Sequence, residues 1–319
     1  MKKLFIVLTL VIFILSCGNN NQSNSEDKKN ENGSAQVSQN ETKSKEVLVT
    51  SIPPLKWLVQ KIAGDDFNII SIIQPNMNHE LFEPKPNDLK DLENSKLFFT
   101  YNALNFETTI SDTLTDKTKI VNLLENIDKS LLLENHDDHD HDHGHTDKKD
   151  DHKDDDAHDH GKFNPHLWFS LDLMPKFAET IKNKMVEVYP DKKDVFEKNY
   201  TAFLEELNAF KKETDEKMAT KTKKYFMIYH PVLGYFLKDY KVEEVAVEYQ
   251  GKEPSAKQIK EIIEEAKEHN ITNIFVQPQF PKESIEAISK EIPSSRIVEF
   301  NADEENVIEN LKKLVDSLE

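Results

Sequence analysis

The sequence predicts an α/β protein with two lobes, in which a long helix lies between two sets of alternating strands and helices. Short apolar runs alternate with helix-patterned segments between residues 47 and 124. The same alternation restarts at residue 225 and continues to residue 318. Between the two sets, residues 191–219 have the pattern of a long amphipathic helix. Strands that alternate with helices form parallel sheets flanked by helices, so each set predicts one such lobe.

The first lobe begins with an apolar run at 47–52 that is typical of a buried strand and that Pro53 and Pro54 end. A helix at 55–63 follows, and Gly64 closes it. A second strand, a proline-containing loop, a short helix, a third strand, another helix and an apolar stretch complete this lobe, at 67–73, 74–86, 87–92, 97–101, 107–114 and 120–124.

The connection between the lobes is predicted to be helical. Residues 171–188 form one helix, which Pro190 breaks, and 191–219 form a longer one. The large apolar residues of the longer helix recur at three- and four-residue steps on one face: Phe196, Tyr200, Phe203, Leu204, Leu207 and Phe210. At ~1.5 Å per residue this helix is roughly 40 Å long, which is enough to run beside two lobes.

The second lobe repeats the alternation of the first. Its predicted strands are 225–229, 242–249, 274–277 and 296–300, and its predicted helices are 233–238, 255–269, 282–291 and 303–318. Ser255 and Gln258 match a capping box at the start of the second of these helices.

The N-terminus predicts export as a lipoprotein. Two lysines precede an apolar run at 4–15, which has the length of a signal-peptide core and is shorter than a membrane span. The run ends in Ile-Leu-Ser-Cys17, which resembles a bacterial lipobox, so we expect Cys17 to carry a lipid. Cys17 is the only cysteine, so no intrachain disulfide can form. The polar residues 18–45 are expected to form a disordered tether.

Histidine and aspartate are concentrated in one segment. The net charge of −18 at pH 7 argues against nucleic-acid binding and suits a protein that handles cations. Eight of the twelve histidines lie in this segment: His136, His139, His141, His143, His145, His152, His158 and His160. A segment with so few apolar residues cannot form a core, so it is predicted to be a disordered, metal-attracting insertion.

Three further histidines lie in loops, either just after a predicted strand or beside prolines: His79, His166 and His230. In parallel α/β folds, ligands gather beyond the carboxyl ends of the strands, and imidazole is a preferred ligand of Zn²⁺. For any one of these histidines alone, a place in a polar loop network is the better interpretation, and spacing does not prove that the three converge. His269 lies in the last turn of a charged helix and is expected to be a surface residue.

The sequence around these loop histidines resembles the metal-binding receptors of ABC importers. The segments that carry the resemblance are His79-Glu-Leu-Phe-Glu-Pro-Lys-Pro-Asn-Asp88, Asn164-Pro-His166-Leu-Trp168, Tyr229-His230-Pro-Val-Leu-Gly-Tyr-Phe236, Gly251-Lys-Glu-Pro-Ser-Ala256 and Ile274-Phe-Val-Gln-Pro-Gln279. The similarity extends over roughly residues 46 to 319. It implies two pseudo-symmetric lobes joined by a rigid helix, with a metal bound by three histidines in the cleft between the lobes.

The resemblance favours zinc over manganese. Manganese-binding relatives usually carry a carboxylate at the position of His230, and a site rich in histidine suits zinc. The acidic, histidine-rich insertion is itself a hallmark of the zinc-specific branch. We therefore expect one tight Zn²⁺ site at the loop histidines and weaker binding of Zn²⁺ by the insertion.

The fourth ligand is left open. Many relatives carry a late aspartate, whose position corresponds most simply to Asn301, a weak ligand of zinc. Asp303 is a second candidate, but its place before the last helix favours the role of N-cap. Glu80, next to His79, is a third candidate. The expected ligand set is three histidines with water or one of these groups.

These expectations define segments and a function. The predicted segments are a lipoprotein signal peptide at 1–17, a tether at 18–45, an N-terminal lobe at 46–170 with a disordered insertion at 135–161, a helical linker at 171–219 and a C-terminal lobe at 220–319. The expected function is that of a monomeric, lipid-anchored receptor on the outer or periplasmic side of a bacterial membrane. It captures Zn²⁺ and delivers it to the permease of an ABC importer, which a cytoplasmic ATPase powers.

Three alternatives remain at this point. They are a manganese or iron receptor of the same family, a surface zinc-buffering or adhesin lipoprotein, and a zinc hydrolase. A zinc hydrolase also uses three protein ligands, but the chain has no His-Glu-x-x-His motif and no evident general base. We therefore expect no enzymatic activity.

Overall fold

The structure is a computed structural model that describes residues 45–86, 88–134, 163–249 and 252–318. Its strands are β1 (Glu46–Thr50), β2 (Phe67–Ser71), β3 (Leu97–Thr100), β4 (Ile120–Asn122), β5 (Tyr225–Ile228), β6 (Glu243–Ala246), β7 (Asn273–Val276) and β8 (Arg296–Glu299). Its helices are α1 (Pro53–Ala63), α2 (Lys90–Asn94), α3 (Asn105–Thr113), α4 (Met174–Val188), α5 (Lys193–Thr220), α6 (Gly234–Leu237), α7 (Ala256–Glu268), α8 (Glu283–Glu291) and α9 (Val307–Ser317). Within these described ranges, no helix combines the length and the apolar character that crossing a membrane requires.

The N-terminal lobe is built on a parallel sheet of four strands in the order β2-β1-β3-β4. β1 lies inside the sheet, where Leu48 is opposite Ile69 of β2 and Leu97 of β3. Because Leu48 and Val49 are fully buried on opposite faces of the strand, the run is continuously apolar instead of alternating. α1 follows β1 at once and packs back against the sheet.

The C-terminal lobe has the same topology, because its parallel sheet has the order β6-β5-β7-β8. Successive side chains of a strand point to opposite faces, and β5 uses both faces. Phe226 and Ile228 join the core that also contains α5, whereas Met227 joins a second core under α7 and α8. The prediction of two pseudo-symmetric α/β lobes is therefore confirmed.

The long helix α5 contacts both lobes. It has 28 residues, which corresponds to about 42 Å at ~1.5 Å per residue. On the side of the N-terminal lobe, the ring of Phe203 lies 5.8 Å from that of Trp57 in α1. Near its other end, Nζ of Lys217 binds Asp316 of α9 at 2.7 Å. The predicted long helix between the lobes is therefore present.

The last helix starts later than the sequence pattern indicates. α9 begins at Val307, and Asn306 is its N-cap, because Oδ1 of Asn306 accepts the N–H of Glu309 at 3.2 Å. Asp303 lies before this cap and is only 1% exposed. The prediction that Asp303 caps the helix is wrong, because Asn306 supplies the cap and the Asp303 carboxylate is directed into the cleft.

Candidate metal centre

Loops from both lobes bring three buried histidines together. His79 lies in the loop between β2 and α2, His166 precedes a 3₁₀ turn at Leu167–Phe169, and His230 follows β5. Their exposed fractions are 5%, 3% and 5% respectively. The ring centroid of His166 lies 5.1 Å from that of His230 and 5.6 Å from that of His79. The structure thus brings the three histidines together, which their spacing in the sequence alone could not decide.

Carboxylates contact the Nδ1 atoms of two of the three imidazoles. Nδ1 of His79 lies 3.0 Å from the carboxylate of Asp303, and Nδ1 of His230 lies 2.7 Å from Oε1 of Glu248. Since a carboxylate accepts, each Nδ1 carries a hydrogen, and the neutral form of each ring then has its lone pair on Nε2. This is the tautomer that binds a metal through Nε2, with the carboxylate fixing the direction of the ring.

An amide supports the third imidazole in the same way. Oδ1 of Asn164 lies 2.9 Å from Nδ1 of His166 and also accepts the main-chain N–H of His166 at 2.9 Å. These two bonds to one oxygen set both the main chain and the ring of His166. All three rings therefore direct Nε2 towards the interior of the cleft.

The Nε2 atoms meet the carboxylate of Glu80. Nε2 of His230 lies 3.2 Å from Nε2 of His166 and 3.1 Å from Oε1 of Glu80, and the ligand atoms of His79, Glu80, His166 and His230 lie within 4.8 Å of one another. In a tetrahedral zinc site with bonds of about 2.0–2.1 Å, ligand atoms are about 3.3 Å apart, so both short distances fit a shared cation. Nε2 of His79 is buried and has no hydrogen-bond partner in the described part of the chain. A cation at this point would satisfy it.

The charges of the centre shift the protonation of its side chains. Burial opposes a charge on His230, but the Glu80 and Glu248 carboxylates outweigh it and raise the pKa of His230 well above its usual value. Burial likewise opposes a charge on His79, and Asp303 raises the pKa of His79. Burial would raise the pKa of Glu80, but the nearby imidazole of His230 holds it below its usual value. A metal that enters must therefore displace protons from the imidazoles.

Two glutamines after β7 hold the loops of the centre. Gln277 is fully buried, accepts the N–H of His230 at 3.0 Å and donates to its carbonyl oxygen at 2.8 Å. Nε2 of Gln279 donates to Asp303 at 3.2 Å. The C-terminal lobe thus fixes the main chain of His230 and also the carboxylate that orients His79 of the other lobe.

The three candidates for the fourth ligand lie in different places. Among the described residues, Glu80 is the candidate that joins the histidines in the metal-compatible group. Asp303 lies on the Nδ1 side of His79, away from the Nε2 atom that faces the other rings. Oδ1 of Asn301 accepts from Gln279 at 2.6 Å and from the N–H of Asp303 at 3.0 Å. Asn301 therefore holds Asp303 in place.

The remaining predictions concern the insertion, the lipid anchor and His269. The histidines of the insertion lie outside the described residues: His136, His139, His141, His143, His145, His152, His158 and His160. Cys17, the rest of the predicted signal peptide and nearly all of the predicted tether also lie outside them. His269 ends α7 and stacks on Tyr225, with ring centroids 3.8 Å apart, away from the three loop histidines.

Glu248, Asn164 and Gln279, which support the rings or their partners, were not singled out as site residues from the sequence. Glu248 lies beyond the carboxyl end of β6, so the strand-end rule that singled out the histidines applies to it as well. Asn164 stands two residues before His166 and makes the local side-chain-to-backbone bond for which asparagine is known. For Gln279 there is no such local signal, because its contact with Asp303 joins two distant loops.

The fold and the site define the class of protein: it is a two-lobed α/β protein with a buried histidine cluster between its sheets. The chain belongs to the family described as zinc-uptake complex component A, periplasmic (ZnuA), whose sequence pattern matches residues 48–319. A solved structure described as the crystal structure of ZnuA has a TM-score of 0.71 and 27% identity, covering 85% of this chain and 97% of that one.

Curated relatives carry the names of two metals. The zinc-binding lipoprotein AdcA of Streptococcus pneumoniae is 28% identical over 301 residues, which are 91% of this chain and 53% of AdcA. The manganese ABC transporter substrate-binding lipoprotein ScaA of Streptococcus gordonii is 28% identical over 299 residues, which are 91% of this chain and 87% of ScaA. The chain spans about half the length of the AdcA proteins it matches. Since the two identities are equal, likeness alone does not choose the metal.

Proposed function

We propose that this protein is an extracytoplasmic receptor that binds Zn²⁺ tightly and delivers it to the permease of an ABC importer. The observation that carries the proposal is the convergence of His79, Glu80, His166 and His230, whose ligand atoms lie within 4.8 Å of one another. Three imidazole nitrogens and one carboxylate oxygen complete a tetrahedral set. A catalytic zinc site keeps one position open for water or substrate, so a complete set suits a carrier better than an enzyme.

Zinc is the metal that this ligand set fits best. Imidazole suits Zn²⁺, whereas Mn²⁺ favours oxygen ligands in octahedral geometry. The separations of 3.1 and 3.2 Å from Nε2 of His230 agree with the ligand spacing of tetrahedral zinc. A manganese receptor is the alternative within the same family, and it is kept because ScaA, a relative of the same identity as AdcA, is named for manganese. Competition decides between them: zinc should displace bound manganese, and an excess of manganese should not displace zinc.

Because both lobes supply ligands, release of the metal requires a conformational change. His79, Glu80 and His166 come from the N-terminal side, whereas His230 follows a strand of the C-terminal sheet. All three histidines are at least nine-tenths buried, so metal bound among them is shielded from solvent. Delivery to a permease therefore requires the contacts between the lobes to loosen. This requirement suits a receptor that holds its cargo until it meets its partner.

The remaining parts of the proposal concern segments outside the described residues. Cys17 carries the lipid that anchors the protein to the membrane, in keeping with the lipoprotein names of AdcA and ScaA. The histidines at 136–160 bind zinc weakly and are an accessory to the tight site. The protein acts as a monomer with the permease and its cytoplasmic ATPase as partners, and it catalyses no reaction.

Calorimetric titration of metal-stripped protein with Zn²⁺ tests the proposal. His79→Ala, His166→Ala and His230→Ala should each remove the tight binding event, because each deletes one ligand. His269→Ala is the matched control, since His269 stacks on Tyr225 outside the centre, and it should bind as the wild type does. Wild-type affinity in the three loop variants would show that the metal binds elsewhere.

A further inference from the structure

Tyr235 is a buried residue of α6 whose hydroxyl reaches from the C-terminal lobe to the N-terminal lobe. Its side chain is 1% exposed. The hydroxyl donates to the carbonyl oxygen of Asn164 at 3.1 Å and accepts the N–H of Leu133 at 3.1 Å. Both hydrogen-bonding roles of the oxygen are thus used at a buried place. Removing the oxygen would deprive two main-chain groups of these bonds, which is costly away from water.

Leu133 and Asn164 flank the segment 135–162 and are bonded to each other. The N–H of Asn164 donates to the carbonyl oxygen of Leu133 at 2.8 Å, and Glu134 pairs with Phe163 in an antiparallel bridge. Helix α6 lies closely against this pair: a Cβ atom at Gly234 would lie 3.5 Å from Nδ2 of Asn164 and 3.6 Å from Cδ1 of Leu133. The Tyr235 hydroxyl therefore binds both flanks where the lobes meet.

Asn164 connects this contact to the metal centre. Its Oδ1 atom accepts both the main-chain N–H and the Nδ1–H of His166, each at 2.9 Å. A shift of the Asn164 main chain would move this oxygen and turn the imidazole of His166. Because Nε2 of His166 lies only 3.2 Å from Nε2 of His230, a small rotation changes the geometry offered to a metal.

We propose that Tyr235 is a positioning residue for the bound metal. Its hydroxyl, which belongs to the C-terminal lobe, fixes the main chain of Asn164, and the Asn164 side chain in turn orients His166. The same hydroxyl binds Leu133 and Asn164, the residues on either side of 135–162, to the C-terminal lobe. The inference rests on the proposed function, because it concerns metal held by the same centre. Tyr235 is not a ligand. Its bonds cross between the lobes and must break when the lobes separate, so it slows release of the metal more than it affects capture.

Tyr235→Phe tests the proposal, because it removes one oxygen atom and keeps the buried ring. Tyr240→Phe is the matched control: the Tyr240 hydroxyl donates to Asp215 at 2.9 Å, away from the metal centre, and the chemical change is identical. The full chains are loaded with Zn²⁺, and dissociation is followed after mixing with excess chelator. Association rates are measured in parallel. The visible absorption of the Co²⁺-loaded proteins reports whether the tetrahedral geometry is retained.

Tyr235→Phe loses two buried hydrogen bonds, of which the bond to Asn164 leads to the metal centre. It should release zinc roughly three to ten times faster than the wild type, as expected when about one such bond resists release. Its association rate should stay the same, its Co²⁺ absorption should weaken, and Tyr240→Phe should match the wild type in all three. In an Asn164→Ala background, adding Tyr235→Phe should cause a smaller acceleration than in the wild type, because the side-chain connection to His166 is already lost and only the main-chain bonds between the lobes remain to be removed.

Three results would overturn the proposal: wild-type release from Tyr235→Phe, equal acceleration in Tyr240→Phe, or fully additive effects in the double variant. A lower melting temperature with unchanged release and absorption would also overturn it, since that is the signature of a purely structural residue. Failure of the proposed function looks different, because then the wild-type protein itself would not bind Zn²⁺ tightly.

Discussion

Replacing Glu80 by glutamine removes a negative charge from the metal centre and leaves the shape of the side chain almost unchanged. Glu80 and not Asp303 is the proposed fourth ligand, because Oε1 of Glu80 lies 3.1 Å from Nε2 of His230 whereas Asp303 binds Nδ1 of His79. Glu80→Gln should therefore act directly on the bound metal. Asp303→Asn makes the same chemical change on the far side of the His79 imidazole from the metal, and it is the comparison variant.

The size of the effect follows from the number of ligands. Closed zinc sites bind with about 10–16 kcal/mol, so one of four ligands accounts for about 3 kcal/mol. An amide oxygen retains a small part of this, and a loss of about 2–3 kcal/mol corresponds to a roughly 30- to 150-fold weaker affinity. Asp303→Asn keeps an acceptor for Nδ1–H of His79, so its effect should lie near the lower end of the roughly 10- to 100-fold range for groups behind a ligand.

Competition with a chelator of known affinity measures both variants, and Co²⁺ absorption shows which of them alters the ligand set. We expect Glu80→Gln to change the absorption and Asp303→Asn to preserve it. The reverse outcome, with altered absorption and the larger loss in Asp303→Asn, would show that Asp303 turns into the site and is the ligand. Circular dichroism of the metal-free variants checks that both fold.

Further predictions concern pH, the insertion and the core. Zinc affinity should fall as pH is lowered from about 8 to about 6, because the raised pKa values of His79 and His230 keep protons on the ligands. The fall should be about tenfold per pH unit for each proton that the metal displaces. Titrations in buffers of different ionisation enthalpy count those protons, and a pH-independent affinity would contradict the ligand assignment. Raised pKa values also mean that the folded metal-free protein binds more protons than the unfolded chain, so these two groups contribute stability below about pH 6.5 that is lost as pH rises through their folded pKa values. Scanning calorimetry should show the zinc-induced gain in melting temperature growing with pH. Deleting 135–160 should keep the tight event and remove only weak ones in a zinc titration, because the flanks are already bonded to each other; loss of tight binding would place the main site in the insertion. Phe203→Ala should lower the free energy of unfolding, measured by urea denaturation, by about 3–5 kcal/mol, because the ring is buried in the core and only 1% exposed. A loss under about 1 kcal/mol would mean that packing of α5 through Phe203 contributes little to the stability of the core.

The architecture could be predicted largely because its signals are local. A run such as Val47 to Val49 is apolar throughout because both of its faces are covered, and the prolines after the strand start a helix. The same logic located the strands and helices of both lobes. It failed at Asp303, because three Asx residues, Asn301, Asp303 and Asn306, precede α9 and local preference could not tell which of them caps it. Asn306 does so, which leaves Asp303 for His79.

The candidate site could be predicted only in part. Position after a strand singled out His230, and family resemblance grouped it with His79 and His166. The choice of Glu80 among the possible fourth ligands needed distances, because the resemblance pointed most simply to Asn301, a weak ligand, and residue type alone did not decide between Glu80 and Asp303. The pairing of each ring with its carboxylate was not predicted: Asp303 binds His79 from a loop far away in the chain, and Glu248 carries no motif that assigns it to His230.

By itself, the sequence determined the alternation of strands and helices in two lobes, the long helix between them, the histidine-rich insertion and the three loop histidines. These follow from the spacing of apolar residues, from residue type and from motifs, which are properties of neighbouring residues. Only the tertiary structure decided that the histidines meet, that Glu80 faces them and that Tyr235 joins the lobes beside them. Those contacts depend on how two sheets and a helix pack against one another, and the directions of side chains in space are not written in any local pattern.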